Sequence, residues 1–287
     1  MPATQIDNLM DLIKVLLLQN GDTTLKPPFA DKKDLYDVID STPLGDVSWQ
    51  SFSVTYQGEK PPDSVPEWMD GSYEVCYRDP RDIIRNMLAN PDFDGETDYV
   101  PYRDFDVDGH REWKDFMSGD WAYKQADIIA KDPMTHGSVF VPVILGSDKT
   151  TVSVATGQTD YYPLYASIGN VRNNVRRAHR NAVAVVGFLA IPKSTHDFYS
   201  VSYDISDAFI AEQQHVSDPA FRKFRRQLFH SSLSKILETL KPAMSRPEVA
   251  RCADGHYWRA IYGLGPYIAD YEEQVVLACI VKDWCAK

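Results

Sequence analysis

The feature that most limits what this chain can become is a short apolar run at residues 139–145, VFVPVIL. It is too short for most helices and rich in β-branched residues, so it predicts a buried strand. Pro142 interrupts it, which predicts a kink or an edge position. The run stops at Gly146-Ser147, and Asp148 and Lys149 follow. A rigid strand that ends in a lone carboxylate is a sound base for a metal ligand; the plain alternative is a turn residue. Residues 151–155, TVSVA, alternate as a half-buried strand does. Thr156-Gly157 reads as a turn, residues 161–168 as a third strand, and Gly169-Asn170 as its end.

The rest of the chain alternates helix and strand signals, so the fold class predicted is α/β. Residues 6–20 predict an amphipathic helix stopped by Gly21. Residues 51–56 and 72–77 predict short strands, and Asp79-Pro80 the capped start of a helix. Residues 113–129 predict a helix interrupted near Gly119, and 183–191 a buried strand ended by Pro192. Asp218-Pro219 caps a long helix at 220–240; residues 257–268 form a strand that delivers Asp270, and 273–281 a last helix or strand. At 287 residues the chain can bury a substantial core in one large domain or two. A net charge of −11 argues against a surface that coats nucleic acid generally, and leaves room for a local basic patch. Cys76, Cys252, Cys279 and Cys285 are few and scattered, which predicts a reduced intracellular protein. The start of the chain lacks the charged region of a signal peptide, and no apolar run approaches the ~20 residues of a membrane span.

Several blocks carry a resemblance: GSDKTTVSVATGQTDYYPLYASIGNVRNNVRRAHRN, DYVPYRDFD, FMSGDWAYKQADIIAKDPMTHG, FRKFRRQLFHSSLSKILETLKP and YGLGPYIADYEEQVVLACIVKDWC. Together they resemble the Plavaka transposases of basidiomycete fungi, relatives of the CACTA (En/Spm) DNA transposons, from roughly residue 35 onward. The resemblance implies an RNase H-like mixed sheet flanked by helices at residues 136–287, preceded by an α+β region at residues 1–135. Strand, acidic end, hairpin and third strand is how such a fold opens. It also implies a nuclear DNA transposase that cuts and transfers strands at the ends of a transposon. Its partner is then double-stranded DNA, with no membrane and with homo-oligomeric assembly expected.

Strand transfer of this kind uses two divalent cations about 3.5–4 Å apart, one activating the nucleophile and one stabilising the leaving oxygen. Mg²⁺, or Mn²⁺ in its place, prefers hard carboxylate ligands. The resemblance makes Asp148 the first such acid and Asp270, in GPYIADYEEQ, the second. For Asp270 the plain alternative is a helix N-cap, with Glu273 as its capping-box partner. The family's third acid is implied downstream, beyond a zinc-binding cysteine cluster of which Cys285 is the one member here. A C-terminally truncated copy with weak Mg²⁺ binding is therefore expected, and Zn²⁺ only in a full-length relative. The alternative function is a catalytically dead or domesticated DNA-binding or interaction protein.

Arg172, Arg176, Arg177 and Arg180 form a basic segment expected to contact DNA phosphates near the acids; the alternative is a solvated helix face. Arg222, Lys223, Arg225 and Arg226 form a second cluster, on a helix whose Phe221, Phe224 and Leu228 face inward. A third class of function, calcium binding, comes from Asp104, Asp106, Asp108 and Asp115, which follow the spacing of an EF-hand loop. Against it, the last position wants a glutamate, and Pro101 disfavours an entering helix. The histidines show no metal-ligand spacing.

Overall fold

A computed structural model describes residues 3–19, 27–41, 47–153, 159–177, 181–192 and 218–280. The chain parts into two compact units, residues 1–46 and 47–287. The first holds α1 (Ala3–Gln19) and α2 (Lys32–Ser41). Asp7 ties them together: it accepts from the Lys32 backbone N–H at 2.9 Å and pairs with the Lys32 ammonium at 3.0 Å.

The second unit opens with β1 (Trp49–Thr55), α3 (Glu67–Asp70), β2 (Ser72–Arg78) and α4 (Pro80–Ala89). Next come the two-residue strands β3 (Asp104–Phe105) and β4 (Arg111–Glu112), then α5 (Asp120–Ile129). The central stretch supplies β5 (Val139–Ser147), β6 (Thr150–Ser153), β7 (Thr159–Tyr161), β8 (Pro163–Ile168) and α6 (Asn173–Arg177). It is followed by β9 (Val183–Phe188), α7 (Pro219–Ile236), α8 (Lys241–Ser245), β10 (Glu248–Arg251), β11 (Tyr257–Ile268) and α9 (Tyr271–Ala278). The final run at 273–281 is thus a helix where it is described, and β10 is a strand that the sequence pattern did not announce.

The architecture is mixed α/β. Among the described residues, seven strands form one sheet in the order β1-β2-β9-β8-β5-β11-β10. β5 and β11 run parallel; the other neighbours run antiparallel. β1 and β2 join this sheet, so the expected boundary at 135/136 falls inside the second unit.

β5 is the middle of the sheet, and nearly all of it is buried. Val139, Val141, Val143 and Leu145 point into the main core with Ile84 and Leu88 of α4 and Ile236 of α7. Phe140, on the other face of the strand, meets Trp121 of α5 at 6.1 Å. A strand covered on both faces reads as an unbroken apolar run, which is what residues 139–145 are. Pro142 therefore does not mark an edge. Its pairing with β8 begins one residue later, at Val143, so the missing N–H falls outside that ladder. Its carbonyl still accepts from the Gly169 N–H at 2.8 Å.

Candidate active site

The parallel register of β5 and β11 aligns Gly146 with Ile268. Two residues beyond each come Asp148 and Asp270. Neighbouring strands lie about 4.8 Å apart, so these two acids leave the same edge of the sheet from adjacent strands. Gly146 allows that closeness: a Cβ there would sit 2.9 Å from the Ile268 carbonyl oxygen. Both acids are exposed. Asp270 caps α9, one carboxylate oxygen accepting from the Glu273 N–H at 2.8 Å. The cap uses one of its two oxygens, so capping and metal binding are compatible in the same side chain.

Beneath the two acids lies a buried polar knot. The Ser147 hydroxyl donates to Glu273, a residue 9% exposed. The Tyr267 hydroxyl donates to Ser147 at 2.8 Å, and the Lys149 backbone N–H to Glu273 at 3.3 Å. Burial pushes the Tyr267 phenol up to about 12, with Ser147 partly offsetting it. Burial, with the Glu273 charge beside it, also raises the Tyr162 phenol. Glu273 is therefore not the return half of a capping box. Its carboxylate crosses to the end of β5, tying the residues on either side of Asp148 to the helix that Asp270 begins. Periodicity offered no hint of this, since the partners are 126 positions apart.

The carboxylates of Asp148 and Asp270 offer hard oxygen atoms, the donor chemistry that would suit Mg²⁺ or Mn²⁺ rather than a soft metal. Being exposed on one sheet edge, they are open to an ion and its waters.

The first basic segment lies elsewhere. Asn170 donates to the Phe140 carbonyl at 3.0 Å, at the start of β5. That is seven residues before Ser147, about 23 Å along a strand. Arg172 pairs there with Asp98 at 3.1 Å and also donates to the Gly95 carbonyl. Arg176 is half-buried and donates to the carbonyls of Ile168 and Val171. These two guanidiniums hold a loop to the opposite end of the sheet, so they do not lie near the acids. Arg177 is exposed, and Arg180 lies outside the described residues.

The second cluster comes closer. Phe221, Phe224 and Leu228 are buried as their spacing predicts, and Arg222, Arg225 and Arg226 are exposed. The three arginines line a cleft of about 360 Å³ together with Lys149 and Glu272, which follow closely on Asp148 and Asp270 in the chain.

The EF-hand reading does not survive. Residues 104–112 form a β3–β4 hairpin with no entering helix. Asp104 pairs with Lys114 at 2.6 Å, and Asp115 accepts from the Asn173 N–H at 2.7 Å. Asp106, Asp108 and His110 do bring ligand atoms within 4.8 Å of one another, a spacing compatible with a divalent ion and missed by the sequence reading. Asp106 is already engaged, accepting from the N–H groups of Asp108 and His110 at 2.9 and 2.7 Å. No helix of the described residues is long and apolar enough to cross a membrane.

A family model described as Plavaka transposase matches residues 29–287. No curated protein and no solved structure matches the chain.

Proposed function

The chain belongs to the Plavaka transposase family, and on that premise we propose that it is the RNase H-like catalytic core of a DNA transposase, cutting and joining DNA strands with divalent metal in the nucleus. The observation that carries the reading is the register of β5 and β11, which aligns Gly146 with Ile268, so that Asp148 and Asp270 follow at the same end of two adjacent strands. The strand order β9-β8-β5-β11, antiparallel but for the last pair, supports the RNase H-like part of it.

Asp148 and Asp270 would hold Mg²⁺ or Mn²⁺, which when bound supplies Lewis acidity to a phosphodiester and to the attacking water or hydroxyl. The chain's own work is positional. The Ser147–Glu273 hydrogen bond and the Lys149 N–H fix the end of β5 against α9. The cap on α9 holds one Asp270 oxygen, which leaves rotation of that carboxylate restricted before any ion arrives. Preformed ligands lose less freedom on binding, which favours both affinity and geometry. The DNA is double-stranded, presented to the exposed edge that carries the two acids.

The test is nicking of supercoiled DNA in Mg²⁺ or Mn²⁺. Asp148→Ala and Asp270→Asn are each expected to lower the rate by at least ~100-fold, the scale on which lost transition-state stabilisation is felt. Nicking by Asp148→Ala at the parental rate would remove Asp148 from the mechanism.

A further inference from the structure

We propose that the cleft between α7 and α9 receives one unstacked nucleotide of a DNA strand, its phosphates on Arg222, Arg225 and Arg226 and its base on the apolar floor. The inference rests on the transposase reading and adds to it a binding site and the form of DNA the site takes.

The residues argue for it in three ways. Arg222, Arg225 and Arg226 stand at i, i+3 and i+4 on α7, so they share one face of that helix. Among the described residues none of the three has an ion-pair partner, in a chain whose net charge is −11. An acidic protein that gathers cations on one face has made a local site for an anion against its own repulsive field. Second, the interior is apolar: Tyr162 and Phe229 stack at 6.1 Å with rings 23° apart, and Leu189 and Val276 complete the wall. Phosphate alone needs no such floor, whereas a base stacked on aromatic and aliphatic side chains does. At about 360 Å³ the cleft falls in the ~300–1,000 Å³ range of small-ligand pockets. Third, Lys149 and Glu272 line it, and these follow closely on Asp148 and Asp270. A nucleotide held there belongs to the same strand that passes the two carboxylates. A base inside an intact duplex cannot enter such a pocket, so the site selects a base already out of the stack.

The experiment is fluorescence anisotropy in EDTA, where no strand is cut, using a short labelled single strand and a blunt duplex of the same sequence. Salt is varied for each. The single strand is expected to bind about tenfold tighter than the duplex. Replacing the three exposed arginines together by alanine should erase that preference. It should also flatten the slope of log affinity against log salt by about 1.4, at ~0.7 for each of the two phosphates that flank the held nucleotide. Val275→Trp, which fills the cleft and leaves the arginines in place, should abolish the preference for the single strand while the salt slope stays unchanged. Equal binding of both DNAs by the parent protein, or an arginine variant with unaltered slope, overturns the proposal; so does a Val275→Trp variant that still prefers the single strand. Nicking in Mn²⁺ is scored separately. Arginine-dependent binding without nicking removes the catalytic reading and leaves the cleft standing. Nicking with arginine-independent binding does the reverse.

Discussion

Glu273 is the side chain on which the candidate site turns. Its carboxylate is buried, and it accepts from Ser147 and from the Lys149 backbone N–H. Removing it leaves a buried hydroxyl and an amide without their partner, and each such orphaned group costs roughly 1–3 kcal/mol. Glu273→Ala is therefore expected to destabilise the protein by about 2–4 kcal/mol in denaturant titration. Glu273→Gln keeps the shape and one acceptor oxygen, and should lose less. Both should weaken Mn²⁺ binding measured by calorimetry, because the end of β5 is no longer fixed against α9. If Mn²⁺ affinity is unchanged while stability falls, Glu273 supports the fold and not the ion. Local signals put Asp148 just after a strand and Asp270 at a helix start, where its cap is seen; their reading as metal ligands came from the family resemblance. Glu273 was legible only as a local capping partner. Its true partner lies across the fold, and no local pattern encodes it.

Between elements, Glu248 of β10 acts as the corresponding fastener. It accepts from Arg85 at 2.9 Å and from the Tyr262 hydroxyl at 2.6 Å, and it pairs with Arg81. Burial alone would raise its pKa. The hydrogen bonds from Arg81, Arg85 and Tyr262 overcome that and hold it down at about 2, against an ordinary 4.5. The folded state thus favours the ionised form. Its contribution to stability is fully present above about pH 4.5 and is lost as pH falls toward about 2. Melting temperature followed down through this window should drop more steeply for the parent than for Glu248→Gln. At neutral pH that variant should itself melt about 4–8 °C lower, on roughly 2 kcal/mol for the charge-assisted hydrogen bonds. A parent and variant with parallel pH profiles would show that Glu248 carries no such linkage. The elements joined here, α4 with β10 and β11, include one strand the sequence pattern did not announce. β10 is four residues long, EVAR, and has too few alternations to register as a period.

Over the whole molecule the sheet sets a gradient of protection. β5 is bonded on both sides and covered on both faces, whereas β1 and β10 lie at the two edges. Hydrogen exchange should be slowest at β5 and its partners β8 and β11, and fastest at β1 and β10. Rapid exchange at β5 would contradict its central position. The same sheet separates the two basic segments. Arg172 and Arg176 serve the end where β5 begins, and the arginines of α7 the end where it finishes. Charge counted along the chain treats the two alike, and only the direction of β5 tells them apart. What the sequence determined by itself is local. The short apolar run reads as a buried strand, residues that favour turns close it, Asp79, Asp218 and Asp270 begin helices, and the long blocks carry the family. What the tertiary structure decided is which distant pieces meet: β11 beside β5 in parallel, Glu273 under Ser147, the first two strands joined to the sheet. Those pairings depend on burial shared between segments a hundred or more residues apart, and shared burial is a property of the packed chain, not of any stretch read alone.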